Sequence, residues 1–524
     1  MNRIAITLVT ILTTVKTYKA GFLLILVFSY FGSFSQQKKP NVLVIIADDI
    51  GISNISAYGN GIVGYRTPNI DRLAKEGALL TDYYGQQSCT AGRAAFITGQ
   101  VPFRTGLTKV GLPGATQGIQ KEDPTIAQLL KPMGYATGQF GKNHLGDRDE
   151  FLPTVHGFDE FFGNLYHLNA EEEPEADNYP KNAEFLKKYG PRGVIHSWSN
   201  GDGTQRIENT GPLSTKRMET IDEEFRQAAV SFMKKSKTDD KPFFVWFNTT
   251  RMHNFTHVKS ENRKTRLGEY ADGMIEHDQQ IGLLLDFLDA EKLTGNTIVV
   301  YISDNGPMVC LWPDAGTTPF RGEKETNWEG GWRVPALVRW PGTVKPGTVL
   351  NDIMSGEDWL PTILGAAGNK NIKSELLAGK KVGNAQFKVH LDGYNQMDFL
   401  SGNAPSARKE FFYFSDDGDL LAFRYENLKL HFMVQNATGF DVWRKPFEVL
   451  RLPLFFDLRS DPAERGREGM GYDNWFYRHP FYGYPIPEMV GTFLATFQQF
   501  PPRQKPGSFT LGDAVEMIRK GSQH

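Results

Sequence analysis

Residues 41–49 read Asn41-Val42-Leu43-Val44-Ile45-Ile46-Ala47-Asp48-Asp49, and this stretch decides the fold. An unbroken apolar run, without the alternation of a half-solvated strand, is what a strand covered on both faces requires. Similar runs recur at residues 135–140, 242–247 and 297–302, with helical stretches between them at 219–233 and 271–288. After the first strand, Thr67 is placed to cap a helix, Pro68 suits its first turn and Gly77 closes it. Strand and helix in alternation predict an α/β fold, a large doubly wound mixed sheet flanked by helices.

From about Glu410 the pattern changes. Residues 411–414, 420–425 and 428–434 read as short strands, with turns at Asp416-Asp417-Gly418 and Glu426-Asn427, and helical sequence follows near 482–499. This predicts a smaller C-terminal α+β subdomain containing an antiparallel sheet. The expected division is a signal peptide at 1–35, the large α/β domain at 40–405 and the C-terminal subdomain at 406–524. The acidic run Glu171-Glu172-Glu173-Pro174-Glu175 reads as a solvated insertion.

The signal reading rests on Lys16 and Lys19, the apolar run 21–30 and the small residues around Ser33-Phe34-Ser35. That run is shorter than the roughly 20 residues a membrane span needs, so export to the periplasm or medium is expected, without a stable span. A net charge of -2 gives no basic field for nucleic acid, which is not an expected partner. Any anion must therefore be recognised by a local site. Two cysteines, Cys89 and Cys310, do not make a disulfide framework in 524 residues, although they could pair with each other.

Four of the predicted strands end in polar residues of one kind. They lead into Asp48-Asp49, Gly141-Lys142-Asn143-His144, Arg251-Met252-His253 and Ser303-Asp304-Asn305-Gly306. In open α/β sheets ligands bind beyond the carboxyl ends of the strands, so these segments should converge. Asp48, Asp49, Asp304 and Asn305 offer only oxygen, which selects Ca²⁺ or Mg²⁺ over softer metals. One Asp-Asp pair alone more often caps the next helix than holds a metal; two pairs at the ends of two core strands favour the metal. Arg93, Lys142 and Lys324 are the cations available for a tetrahedral anion. Cys89 opens a predicted helix, where the macrodipole favours a thiolate.

Cys89-x-Ala91-x-Arg93 resembles the signature of the type I, formylglycine-dependent sulfatases of the alkaline phosphatase superfamily. The segments 44–49, 67–71, 79–106, 141–146, His253, 303–306, 324–335 and 456–462 match that family in order and spacing. The resemblance implies a sulfuric ester hydrolase in which Cys89 is oxidised to formylglycine, hydrated to a geminal diol, by a maturation enzyme. It implies one Ca²⁺ held by Asp48, Asp49, Asp304, Asn305 and residue 89 itself. One diol hydroxyl, activated by the metal and Asp304, would attack sulfur in line. Lys142, Lys324 and Arg93 would stabilise the equatorial oxygens or position the diol, and His253 with Lys324 would protonate the departing alcohol. His144 would take the proton of the second hydroxyl as sulfate leaves. A diol ester can eliminate in this way, whereas a simple Ser ester must be hydrolysed at sulfur.

The usual third residue of the signature is Pro, and here it is Ala91. Two other readings share the residues: a phosphonate or phosphoester hydrolase of the same superfamily, and a catalytically silent sulfoglycan-binding protein. The substrates implied are aryl or carbohydrate sulfates, with Trp198, Trp312 and Tyr166 as candidate sugar-stacking rings.

Overall fold

A computed structural model describes residues 38–509, and the expected signal peptide lies outside them. The described residues from Pro40 onward form one compact unit. Its large sheet has ten strands: β1 (Asn41–Ala47), β2 (Ala78–Leu80), β3 (Ala136–Gly141), β4 (Glu160–Asn164), β5 (Val194–Ser199), β6 (Gln205–Asn209), β7 (Phe243–Asn248), β8 (Thr297–Ser303), β9 (Ala336–Arg339) and β10 (Thr348–Leu350). Their spatial order is β10-β2-β9-β8-β1-β7-β3-β4-β5-β6. The five strands from β8 to β4 are mutually parallel, and β9, β5 and β6 add antiparallel pairings toward the edges.

Every residue of β1 is buried, and its alternating side chains feed two different cores. Val42, Val44 and Ile46 pack with Phe244, Trp246, Ile298 and Val300 on one face. That face is covered by α2 (Cys89–Thr98) and α5 (Trp359–Ala366) through Phe96, Ile97 and Trp359. Leu43, Ile45 and Ala47 pack with Val245, Phe247, Val299 and Tyr301 on the other. Here α1 (Pro68–Glu76), α3 (Ile221–Thr238) and α4 (Glu269–Ala290) supply the cover, including Ile70, Leu73, Phe225 and Met274. Each fully buried aliphatic contributes roughly 1.5–3 kcal/mol, so neither face of β1 tolerates a polar residue.

A second sheet is antiparallel and has four strands, β11 (Glu410–Phe414), β12 (Leu420–Tyr425), β13 (Leu428–Val434) and β14 (Glu448–Asp457). One face packs on α6 (Ile486–Gln499), where Phe412 stacks on Phe493 with centroids 3.8 Å apart. The other packs Phe411, Tyr413 and Leu421 against Tyr84 and Trp332 of the large unit.

Several local expectations change. The side chain of Thr67 does not cap α1; Asp278 of α4 accepts from the Asn69 and Ile70 amides at 3.0 and 2.9 Å instead. The acidic run is not simply solvated. Glu171 is buried, and burial pushes its carboxyl up to about 8. Cys89 and Cys310 are both free thiols.

Candidate active site

The parallel register brings the expected segments to one sheet edge. Ile46 pairs with Asn248 and Ile302, and Gly141 also pairs with Asn248, so Asp48-Asp49, Lys142–His144, Thr249–His253 and Asp304-Asn305 leave the sheet together. Gly141 has φ +103, and a Cβ there would lie 1.7 Å from the Asn248 carbonyl oxygen; only glycine allows this turn. Asp49 and His144 adopt left-handed φ of 56 and 60, a conformation that non-glycine residues hold at a cost and that recurs at functional sites. α2 is pressed against the β8 end, because a Cβ on Gly92 would lie 2.2 Å from the Asp304 carbonyl oxygen. That contact sets Cys89, in the first turn of α2, among the carboxylates.

All ten expected side-chain contributors to this edge are buried, and most touch. Lys324 Nζ donates to Asp49 Oδ1 at 2.7 Å and lies 3.0 Å from Cys89 Sγ. Lys142 Nζ donates to Asp48 Oδ2 at 2.5 Å. Arg93 Nη2 lies 2.9 Å from Asp304 Oδ2 and 3.7 Å from Asp48 Oδ2. Asn305 Nδ2 donates to Asp49 Oδ1 at 2.6 Å, and His253 Nε2 lies 3.7 Å from Asp49 Oδ2. His144 is turned toward Gly111, its Nε2 lying 3.1 Å from that carbonyl oxygen.

Burial works to raise the Asp48 carboxyl, but Lys142, Arg93 and His253 outweigh it and hold Asp48 well below the usual carboxylate range. Asp304 goes the other way: burial, then the Asp48 charge, lift it to about 7. Burial opposes the Lys324 ammonium, yet the Asp49 and Asp48 carboxylates raise it well above its ordinary value. Burial lowers His253 to about 4 against the pull of Asp49, and burial, then Lys142, lowers His144 strongly. The thiol corrects the helix-dipole expectation. Burial, then Asp48, pushes the Cys89 thiol up, so the unmodified residue is a poor thiolate.

The oxygens fit a hard cation. Asp48 Oδ1, Asp49 Oδ2 and Asn305 Oδ1 are buried and accept no hydrogen bond, a cost on the order of 1–3 kcal/mol each unless something fills them. The donor atoms of Asp48, Asp304 and Cys89 lie within 4.8 Å of one another, as do those of Asp49, His253 and Cys89. Six- to eight-oxygen coordination of Ca²⁺ draws on such a set.

Sequence reasoning missed His167. Its ring stacks on His253 at 4.9 Å and meets His144 edge-on at 5.6 Å, bridging the two expected histidines. It also missed Asp222 on α3, which accepts from the Thr250 and Arg251 amides and fixes the loop that carries His253. His167 follows β4, a strand not marked by an apolar run, and Asp222 lies in the first turn of α3, so no expected strand end pointed to them.

A doubly wound sheet with carboxylates, buried cations and a helix-terminal Cys at one edge belongs to the class of hydrolases acting on anionic esters. The family model described as Sulfatase matches residues 40–369. Arylsulfatase A of Homo sapiens is 30% identical over 449 residues, covering 82% of this chain and 83% of its own. N-acetylgalactosamine-6-sulfatase of Canis lupus familiaris is 28% identical, with 85% of both chains covered. Among solved structures, the PsFucS1 sulfatase from Pseudoalteromonas sp. superposes with a TM-score of 0.78 at 30% identity, over 90% of this chain and 92% of that one. Ps i-CgsB in complex with a neocarrahexaose gives 0.65 at 25% identity, over 92% of this chain and 98% of that one. The chain belongs to the sulfatase family and is a sulfuric ester hydrolase.

Proposed function

We propose that this protein is exported and releases inorganic sulfate from sulfated carbohydrates, with residue 89 acting as formylglycine beside one Ca²⁺. The observation that carries the reading is the placing of Cys89 Sγ against Lys324 Nζ, with Asp48, Asp49 and Asp304 around it. Asp48, Asp49, Asp304 and Asn305 would hold the ion, which when bound supplies positive charge beside residue 89 and the ester oxygens. Formylglycine supplies a hydrated aldehyde, a nucleophile that turns over by elimination. Because Cys89 is fully buried in a formed helix, the maturation enzyme would have to act before folding is complete.

The chain's own residues then divide the work. Arg93 and Lys142 present fixed cations to the sulfate oxygens without reorganising, the condition under which electrostatic stabilisation is strongest. Lys324, kept charged by its carboxylate neighbours, would deliver a proton to the leaving oxygen, with His253 beside it to orient that oxygen. His144, neutral in its buried setting and with Nε2–H directed at the Gly111 carbonyl, would accept a proton on Nδ1, which has no hydrogen-bond partner. His167 lies between the two rings, stacked on His253 and edge-on to His144. The names of relatives support a sugar substrate: one specifies an N-acetylgalactosamine sulfate and one neighbour was solved with a neocarrahexaose. The separate second sheet supports dividing the mature chain near residue 405.

The test compares matured protein on 4-nitrophenyl sulfate, 4-nitrophenyl phosphate and a panel of sulfated oligosaccharides. Sulfate release from the first and from at least one oligosaccharide is expected, with the phosphate at least about tenfold poorer in kcat/KM. Preferential phosphate release would replace the reading with the phosphoester one, and binding without release would leave a silent sulfoglycan binder.

A further inference from the structure

Two cavities adjoin the catalytic cluster on the His253 side. The smaller, of about 210 Å³, is walled by Met252 and Asn254, the two neighbours of His253, and by Phe255 and Asp314. The larger, of about 440 Å³, follows the loop after β8 and is edged by Trp312. Tyr270 lines both, with its hydroxyl 3.5 Å from the Asp49 carbonyl oxygen.

The three rings suggested by sequence as stacking platforms are now distinguishable. Tyr166 is 1% exposed. Trp198 is covered, with the Arg206 guanidinium 3.7 Å over its ring and His196 stacked at 3.7 Å. Trp312 is 79% exposed and Phe255 is 49% exposed. A large flat apolar surface left in water beside a cavity marks a binding site more often than chance exposure does. The carboxylates in the walls are Asp314, whose Oδ1 also accepts from the Tyr270 amide at 3.1 Å, and Glu269, among neutral groups such as Asn254 and Thr256. Neither cavity is lined by a Lys or Arg.

We infer that these cavities form a subsite for an uncharged sugar residue beyond the scissile sulfate, with Trp312 as its stacking platform. The inference rests on the sulfatase reading, in which His253 faces the leaving alcohol. The sugar carrying that alcohol must then sit at His253, and the next residue of its chain extends past Met252 and Asn254. A pyranose presents C–H groups to an indole face and hydroxyls to carboxylates. A second sulfate in this place would meet the Asp314 carboxylate with no lining Lys or Arg to pair it.

The experiment measures kcat/KM for wild type, Trp312→Ala and Trp312→Phe on 4-nitrophenyl sulfate and on the best-cleaved sulfated oligosaccharide of defined length. The Trp312→Ala variant should lower the ratio of oligosaccharide to aryl sulfate kcat/KM about tenfold, through KM, and Trp312→Phe should restore most of it. Adding a sulfate to the neighbouring sugar should lower the wild-type ratio. A ratio unmoved by Trp312→Ala, or a preference for the doubly sulfated chain, overturns the subsite. Absence of aryl sulfate turnover in matured wild type would instead overturn the reading beneath it.

Discussion

Two buried clusters of charge in this molecule are built to opposite rules. At the edge of the large sheet, oxygens of Asp48, Asp49 and Asn305 stay unpartnered. Between the two sheets, every carboxylate oxygen of Asp82, Glu329 and Glu464 is partnered. Glu329 accepts from Lys429 at 2.9 Å, Tyr413 at 2.8 Å and Tyr84 at 2.6 Å. Glu464 meets Lys429 at 3.0 Å, His431 at 2.7 Å and the Glu329 amide at 2.7 Å. Asp82 is held by Arg333, Arg424 and Arg459. Burial alone does not separate them, since the residues of both are buried. Saturation does: the closed network joins Glu329 and Arg333 to the second sheet, and the open one keeps oxygens that a hard cation could use.

The largest effect expected from breaking this contrast is at the open cluster. Cys89→Ala should lower sulfate release at least about 10³-fold, because no nucleophile remains, while the thermal midpoint stays close to that of wild type. A folded variant retaining a tenth of the activity would remove residue 89 from the chemistry. Next is the metal. Dialysis against EGTA should abolish at least about 99% of turnover and lower the thermal midpoint, with Ca²⁺ restoring both by mass action; full activity in chelator would contradict the donor assignment.

At the closed cluster the loss should be of stability. Lys429→Met leaves Glu329 and Glu464 buried without their cation, and should cost about 3–5 kcal/mol in urea titrations. A variant as stable as wild type would mean the network is not closed. The smallest effect sharpens the contrast by reversing its sign. Asp304, lifted from 3.8 to about 7, keeps its proton more tightly in the metal-free fold than in the unfolded chain. Its contribution is therefore present below pH 4 and lost as pH rises through 7. In EGTA at pH 8, Asp304→Asn should raise the thermal midpoint by a few degrees, on the order expected for relief of one like-charge contact, while in Ca²⁺ it should abolish turnover. A lowered midpoint in scanning calorimetry would refute this.

Much of the fold was legible because β1, β3, β7 and β8 lie in the middle of the sheet. Their apolar runs are dictated by burial on both faces, and the observed strands begin and end within a residue of those expected. β14 was not legible: its ten residues are mostly exposed or half-buried and include Pro453, so neither alternation nor an apolar run marks it. The site was legible where residues sit at strand ends or in the Cys89 signature. It was not where a partner came from a distant element, as with His167 against His253, Asp278 capping α1, or the burial of Glu171. The helix-dipole argument for Cys89 failed for the same reason. One turn of helix could be read locally, but the burial and the Asp48 carboxylate that overrule it depend on tertiary packing.

The central claim is that residue 89, as formylglycine, makes the open cluster a sulfate-releasing centre. The most direct measurement is the mass of the tryptic peptide containing residue 89 across preparations matured to different extents, paired with sulfate release from each. Conversion lowers the peptide mass by about 18 daltons, the loss when a CH₂–SH group becomes an aldehyde. The account predicts that specific activity rises in proportion to the converted fraction and extrapolates to zero without it. Equal turnover from a preparation containing only the thiol would contradict it.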